Sequence, residues 1–223
     1  MQTILITGAN RGIGLALAQQ FSARGDRVIA VCRHGSDALE QTGARIEAGI
    51  DVTDDAALAA LAQRLHDTRI DTLVLNAGIL GNESLGRIDR AGFDSARRQF
   101  EVNALGPLRV AQALLGQLGD GSRIGIITSR MGSVADNRGG GHYGYRASKA
   151  AVNAIGKSLA VDLQPRGIAV FLLHPGYVAT DMVGGSGDVT PAQAAKQLIE
   201  RLDTLTPAQT GTFWHANGSE LPW

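Results

Sequence analysis

Six short runs rich in β-branched and aliphatic residues recur along the chain: TILIT (3–7), RVIAVC (27–32), RIEAGI (45–50), DTLVLN (71–76), RIGIIT (123–128) and IAVFLLH (168–174). A strand open to water on one face alternates apolar with polar residues. These runs are nearly all apolar, so each is expected to be covered on both faces. Between them, Ile13, Ala16, Leu17 and Phe21, and again Val152, Ile155 and Leu159, recur at helical spacing. Alternating strand and helix admits few topologies. It predicts right-handed crossovers in an α/β fold, a doubly wound, mostly parallel sheet with helices on both faces. A last strand is expected over 211–216. The glycine-rich stretches 130–141 and 184–188 follow strand ends, where open α/β sheets bind ligands, and are expected to rim the site.

The chain is long enough to bury a full core, and no Pro/Gly/Ser linker divides it, so residues 1–223 read as a single domain. Its 21 basic and 21 acidic residues cancel, and no run of like charge forms a stripe for phosphate backbones or anionic lipid. Nucleic-acid and membrane partners are not expected. The N-terminus reads as a strand and a glycine turn rather than a basic leader followed by a long apolar stretch. Cys32 is the only cysteine, which excludes an internal disulfide. A cytoplasmic setting is expected, and no metal site.

TGANRGIG (7–14) lies between the first strand and the first helix. Its Gly8, Gly12 and Gly14 allow a tight turn, close approach of backbone to a pyrophosphate, and helix N–H groups aimed at it. A glycine triplet alone is also compatible with a plain strand-to-helix turn. The second strand ends in VCRH, where dinucleotide-binding folds read the adenosine ribose. A carboxylate there suits the 2′-hydroxyl of NAD, whereas arginine suits a 2′-phosphate. Arg33, with Arg11 in the glycine loop, favours NADP(H) over NAD(H). The alternative is two ordinary solvated arginines. Asp51, at the end of the third strand, reads equally as part of the adenine pocket and as a cap for the helix beginning DDAALAALAQRL. Asn76, after the fourth strand, can tie adjacent strand ends together while Gly78 lets a cofactor approach.

YRASK places Tyr145 and Lys149 four residues apart, on one face of a helix. A phenol near pKa 10 is a poor acid or base at neutral pH, and a neighbouring ammonium favours the phenolate. Tyr143 has Ala147, not a lysine, at the same spacing. Ser129, just past the fifth strand, is placed to hold an oxygen on which negative charge develops. Pro107 denies the Asn103 carbonyl its helical partner, so a kink is expected there. Two readings of Asn103 stand: a structural kink, or a water site linking Lys149 to solvent. His142 and His174 are read as structural or rim residues.

TGANRGIG, the NAG of 76–78, Asn103, Ser129, Tyr145 with Lys149, and HPGYVATDM (174–182) together resemble the short-chain dehydrogenase/reductase family. They occur in the family's order across nearly the whole chain. The resemblance is to its compact single-domain branch, and GHYGYRASKAAVN is similar to the C-factor or sniffer-like carbonyl reductases. It implies a Rossmann fold and hydride transfer between NADP(H) and a carbonyl or alcohol. Tyr145 would be the general acid or base, and Lys149 would lower its pKa and bind the nicotinamide ribose. Ser129 would hold the carbonyl oxygen and Asn103 the relay water. It also implies a cofactor site built from Gly8, Asn10, Arg11, Gly12, Ile13 and Gly14, with Arg33, Asp51 and Val52 around the adenosine. Asn76, Ala77 and Gly78 would follow, then Pro175 and Gly176 under the nicotinamide, with Val178 and Thr180 on its carboxamide. A homodimer or homotetramer is implied. The pattern departs at Leu75, where the family often has a second asparagine, and in the short segment after Thr180, which leaves specificity open. A reading from a different class, an NADP(H)-binding sensor or interaction protein with little or no turnover, would need none of Ser129, Tyr145 and Lys149.

Overall fold

The computed structural model describes residues 1–223. Seven strands form one sheet, β1 (Thr3–Thr7), β2 (Arg27–Val31), β3 (Arg45–Glu47), β4 (Thr72–Leu75), β5 (Arg123–Ile127), β6 (Ala169–His174) and β7 (Thr212–His215). Their order is β3-β2-β1-β4-β5-β6-β7, and every pair is parallel. All seven expected strands are present. The fold is the expected doubly wound one, and β3 ends three residues before its apolar run does.

The unbroken apolar character of the strands is used on both faces. Leu5, Ile29, Val31 and Leu73 point into one core with Leu58 and Leu61 of α3 (Asp55–Arg64) and Val152 of α6 (Tyr143–Leu163). Their neighbours Ile4, Ile6, Val28 and Ala30 point into the other, with Leu17 and Phe21 of α1 (Gly12–Ala23) and Leu198 and Leu202 of α7 (Pro191–Thr204). Fully burying one such side chain contributes roughly 1.5–3 kcal/mol. A short α2 (Asp37–Glu40) links β2 to β3. No helix is long and apolar enough to cross a membrane.

Helix ends follow local chemistry. The Asp54 side chain accepts the N–H groups of Ala56 and Ala57 at the start of α3, so Asp54, not Asp51, is the cap. Thr190 and Gln193 form a reciprocal capping box on α7, with Pro191 in its first turn. Near Pro107, where a kink is expected, the helical run changes its winding. α4 (Arg90–Phe100) runs into a π turn over Glu101–Leu105, where the Gly106 N–H reaches back to Glu101 O, and then into α5 (Gly106–Ala113). Widening by one residue accommodates the missing proline N–H.

Because β1 leads outward to β2 and β3 while β4 turns to the other side, the strand order reverses between β1 and β4. The carboxyl ends of these strands diverge there, and open α/β sheets bind ligands in that crevice.

Candidate active site

A cavity of about 660 Å³ opens at this reversal. Of the residues expected to form the site, all line it except Gly14 and Asn103. Those two stand immediately behind the lining.

Gly8 and Gly12 have φ of +67° and +55°, values that glycine adopts without strain. Gly14 has a different reason: a Cβ there would lie 2.2 Å from Gly8 O and 2.6 Å from the Asn76 amide nitrogen. Asn76 donates to Thr7 O at 3.0 Å and Gly8 O at 3.1 Å, and Thr7 Oγ1 accepts the Asn76 and Ala77 N–H groups. The ends of β1 and β4 are thereby stitched together, as expected for Asn76, and α1 starts hard against them. A bare-backbone turn of this kind, ending on a helix N-terminus and flanked by Arg11, fits a pyrophosphate.

Arg33 is exposed at the end of β2 and lines the cavity without an ion pair. Asp51 does not cap the helix, but it lines the cavity. It accepts the Thr53 N–H at 2.9 Å and hydroxyl at 2.8 Å, making a local turn, and it binds Arg98 at 3.0 Å on the cavity wall. Burial alone would raise its carboxyl pKa, but the Thr53 hydrogen bonds and the Arg98 guanidinium outweigh this and hold it below the usual range. Arg98 lies 47 residues away in the sequence, so no local spacing announces it.

α6 carries Tyr145 and Lys149 on its inner face. Tyr143, two residues earlier, turns outward and is 44% exposed. Lys149 is 5% exposed, with Nζ donating to Ile127 O at 2.9 Å and lying 5.8 Å from the centre of the Tyr145 ring. Ser129 Oγ accepts the Met131 N–H at 3.1 Å, so its own proton remains to be donated. Gly132 lets this loop lie against α6, since a Cβ there would be 2.6 Å from the Lys149 carbonyl carbon.

The electrostatics differ from expectation in one respect. Burial pushes the Tyr145 phenol above its ordinary range, and the adjacent Ser129 hydroxyl only partly counters it. The lysine does not bring the phenol down here because its ammonium is turned to Ile127 O, and burial lowers its own pKa to about 8. At neutral pH the phenol therefore keeps its proton.

Asn103 is 1% exposed. Its side chain clamps both polar groups of Ile79, accepting the N–H at 2.8 Å and donating to the carbonyl at 2.8 Å, and donates to Ser148 Oγ at 3.0 Å. The side chain is a strut holding the segment after β4 against α6.

On the far wall the lining ends at Val183, so the rim there is Tyr177–Val183 rather than the expected 184–188. Gly187 instead packs on Val178 and Ala179, and Val178 bridges to Val189. The rim at 130–141 is as expected. His174 lines the cavity floor and packs edge-on against His215 at 4.9 Å. Burial, then the charges around it, lower its pKa to about 3, so it is a neutral wall and not a proton carrier.

One residue passed unmarked in the sequence. Glu83 is 5% exposed, and its carboxylate accepts from Gly144 N in the first turn of α6, from Ser95 Oγ and from the Gln99 amide. His142, the only non-glycine residue with positive φ, enters α6 just before this contact, its N–H on Glu83 O. α6 has no side-chain cap of its own, and Glu83 supplies one from another segment.

The family model for short chain dehydrogenase matches residues 2–203. A curated relative, the 1-hydroxy-2-glutathionyl-2-methyl-3-butene dehydrogenase of Rhodococcus sp. strain AD45, is 42% identical, the match covering 100% of both chains. Among solved structures, the carbonyl reductase Sniffer of D. melanogaster superposes with a TM-score of 0.90 at 30% identity over 100% of both chains. The NADPH-bound carbonyl reductase from chicken fatty liver superposes with a TM-score of 0.89 at 28% identity, over 100% of this chain and 99% of that one. With the glycine turn at the strand reversal and Ser129, Tyr145 and Lys149 around one cavity, these likenesses identify the chain as a member of the short-chain dehydrogenase family.

Proposed function

We propose that this protein is an NADP(H)-dependent carbonyl reductase, or in reverse an alcohol dehydrogenase, acting on a small molecule. The observation that carries this is the meeting of Ser129, Tyr145 and Lys149 with the glycine turn in one cavity at the strand reversal. The cradle fits a dinucleotide: a Cβ-free turn for the pyrophosphate, and at the end of β2 an unpaired arginine with no carboxylate for the 2′-phosphate. A solved neighbour that is a carbonyl reductase with NADPH bound supports the same cofactor.

Bound NADPH would supply the hydride. The chain's own groups then have distinct tasks. Ser129 donates its free O–H to the substrate oxygen and fixes it near Tyr145. Tyr145, kept protonated by burial, passes its proton to that oxygen as negative charge develops there. Lys149, still cationic at neutral pH, is placed to bind the nicotinamide ribose, and it would stabilise the phenolate left behind only once its ammonium turns from Ile127 O toward the site. Asn103 fixes the segment above Lys149, and the proton relay through a water near it is part of this proposal. Pro175, Gly176, Val178 and Thr180 form the nicotinamide side of the cavity.

We also place the protein in the cytoplasm as one domain, assembled as a homodimer or homotetramer. The apolar face made by Phe93, Phe100 and Tyr143 supports assembly. The test of function is titration with NADPH and NADH, followed by NADPH oxidation over a panel of aldehydes and ketones. Tight NADPH binding and turnover are expected. In Arg33→Ala, NADPH affinity should fall about tenfold or more, with NADH nearly unaffected. Equal losses for the two cofactors contradict the phosphate assignment.

A further inference from the structure

The charges lining the cavity do not cancel, although those of the whole chain do. Three carboxylates line it, and each already has a guanidinium partner: Asp51 with Arg98 at 3.0 Å, Asp136 with Arg130, and Asp181 with Arg11 at 3.5 Å. Four cations lining the cavity have no carboxylate: Arg33, Lys149, Arg138 and Arg146. Arg33 serves the proposed cofactor phosphate and Lys149 the proton chemistry. Reduction of a neutral carbonyl leaves Arg138 and Arg146 without a task.

Both line the same cavity as Ser129 and Tyr145, Arg138 from the loop after β5 and Arg146 from the first turn of α6. Arg146 is half-buried. Its Nε donates to Gly140 O at 3.0 Å and its Nη1 to Met131 O at 3.4 Å. Those bonds hold the loop but leave Nη2, and the charge, unmatched within the chain. A guanidinium has five N–H donors in a planar fork suited to a carboxylate, so the orientation that clasps the loop also presents a free edge. Arg138 is exposed, makes no hydrogen bond or ion pair, and is near enough to Asp136 to lower its carboxyl pKa together with Arg130. Asp136 cannot neutralise both arginines.

Resting on the carbonyl-reductase reading, we infer that the substrate carries a carboxylate beside its reacting carbonyl or alcohol, bound by Arg146 with Arg138 closing over it. The arginine pair is then a specificity determinant of the proposed reaction and takes no part in proton or hydride transfer.

The probes are para-carboxybenzaldehyde and its methyl ester, which differ in charge at one end. The wild-type kcat/KM for the acid should exceed that for the ester by about tenfold or more. That ratio should fall toward one in Arg138→Gln, which breaks no contact within the chain, and in Arg146→Gln, and it should shrink as salt is raised. A second readout needs no turnover: calorimetric titration of the full chain with para-carboxybenzyl alcohol and its methyl ester, with the same order expected. An ester handled as well as the acid, or a preference unmoved by both variants, overturns the inference while leaving the reductase reading intact. Selective binding of the acid alcohol without NADPH oxidation over the whole panel overturns the reductase reading and keeps the anion site.

Discussion

Lys149 is the residue whose task is most at odds with its surroundings. It is a cation at 5% exposure with one hydrogen bond, to Ile127 O. Burial brings its pKa to about 8 from 10.5, so the unfolded chain binds this proton more tightly than the folded one. Stability from this position is complete above about pH 10.5 and is lost as pH falls through about 8. Lys149→Met has no charge to desolvate. It should be more stable than wild type at pH 7 by about 1–3 kcal/mol, with the difference vanishing near pH 10.5 and turnover lost throughout. Thermal melts at both pH values check this, and equal differences at the two would contradict it. Much of the site at this scale was legible because helix spacing alone places Tyr145 with Lys149. Arg98 and Glu83 were not, since each acts through a partner brought close only by the fold. Asn103 was legible as special, through Pro107, but its side-chain bonds to Ile79 and Ser148 depend on a crossing of segments that no local spacing encodes.

Among the elements, α6 carries Tyr145 and Lys149 but begins without a cap of its own. Glu83 fills that role by accepting from Gly144 N, and it also holds Ser95 and Gln99 of α4. Glu83→Ala leaves these buried donors unpaired. It should cost about 1–3 kcal/mol, lowering Tm by roughly 2–4 °C per kcal/mol, and reduce kcat by shifting Tyr145 against Ser129. A melting temperature and kcat both equal to wild type would remove Glu83 from this role. Strand positions could be read because strands buried on both faces leave an apolar run with polar ends. The end of β3 could not: RIEAGI continues to Ile50, yet the regular ladder stops at Glu47, and Gly49 and Ile50 bond irregularly to Arg33 O and Cys32 O. A disturbance of the helix near Pro107 was foreseeable from the missing N–H, whereas its form as a π turn goes with the packing of α5. A Cβ on Gly106 would stand 2.9 Å from Val52 Cγ2, so α5 is pressed against the segment that follows β3.

For the whole molecule, the two cores on either side of the sheet account for nearly every large aliphatic side chain, but the outer face of α4 and α6 keeps Phe93, Phe100 and Tyr143 between 41% and 55% exposed. An apolar face formed from two helices packed side by side suits a self-complementary contact across a twofold axis. Sedimentation should give a dimer or tetramer for the wild type and a smaller species for Phe100→Glu, and a monomeric wild type would rule out assembly. At the same scale, zero net charge conceals a neutral chain folded around a cationic cavity. The sum of charges was legible and their segregation was not, because pairings such as Arg11 with Asp181 span 170 residues. The proposed role of Tyr145 as proton donor in an NADPH-dependent carbonyl reduction is tested most directly by Tyr145→Phe, with NADPH affinity and NADPH oxidation measured on the same preparation. NADPH binding within about threefold of wild type and turnover down by roughly a hundredfold or more are predicted. Turnover within about tenfold of wild type, with binding intact, would contradict the account.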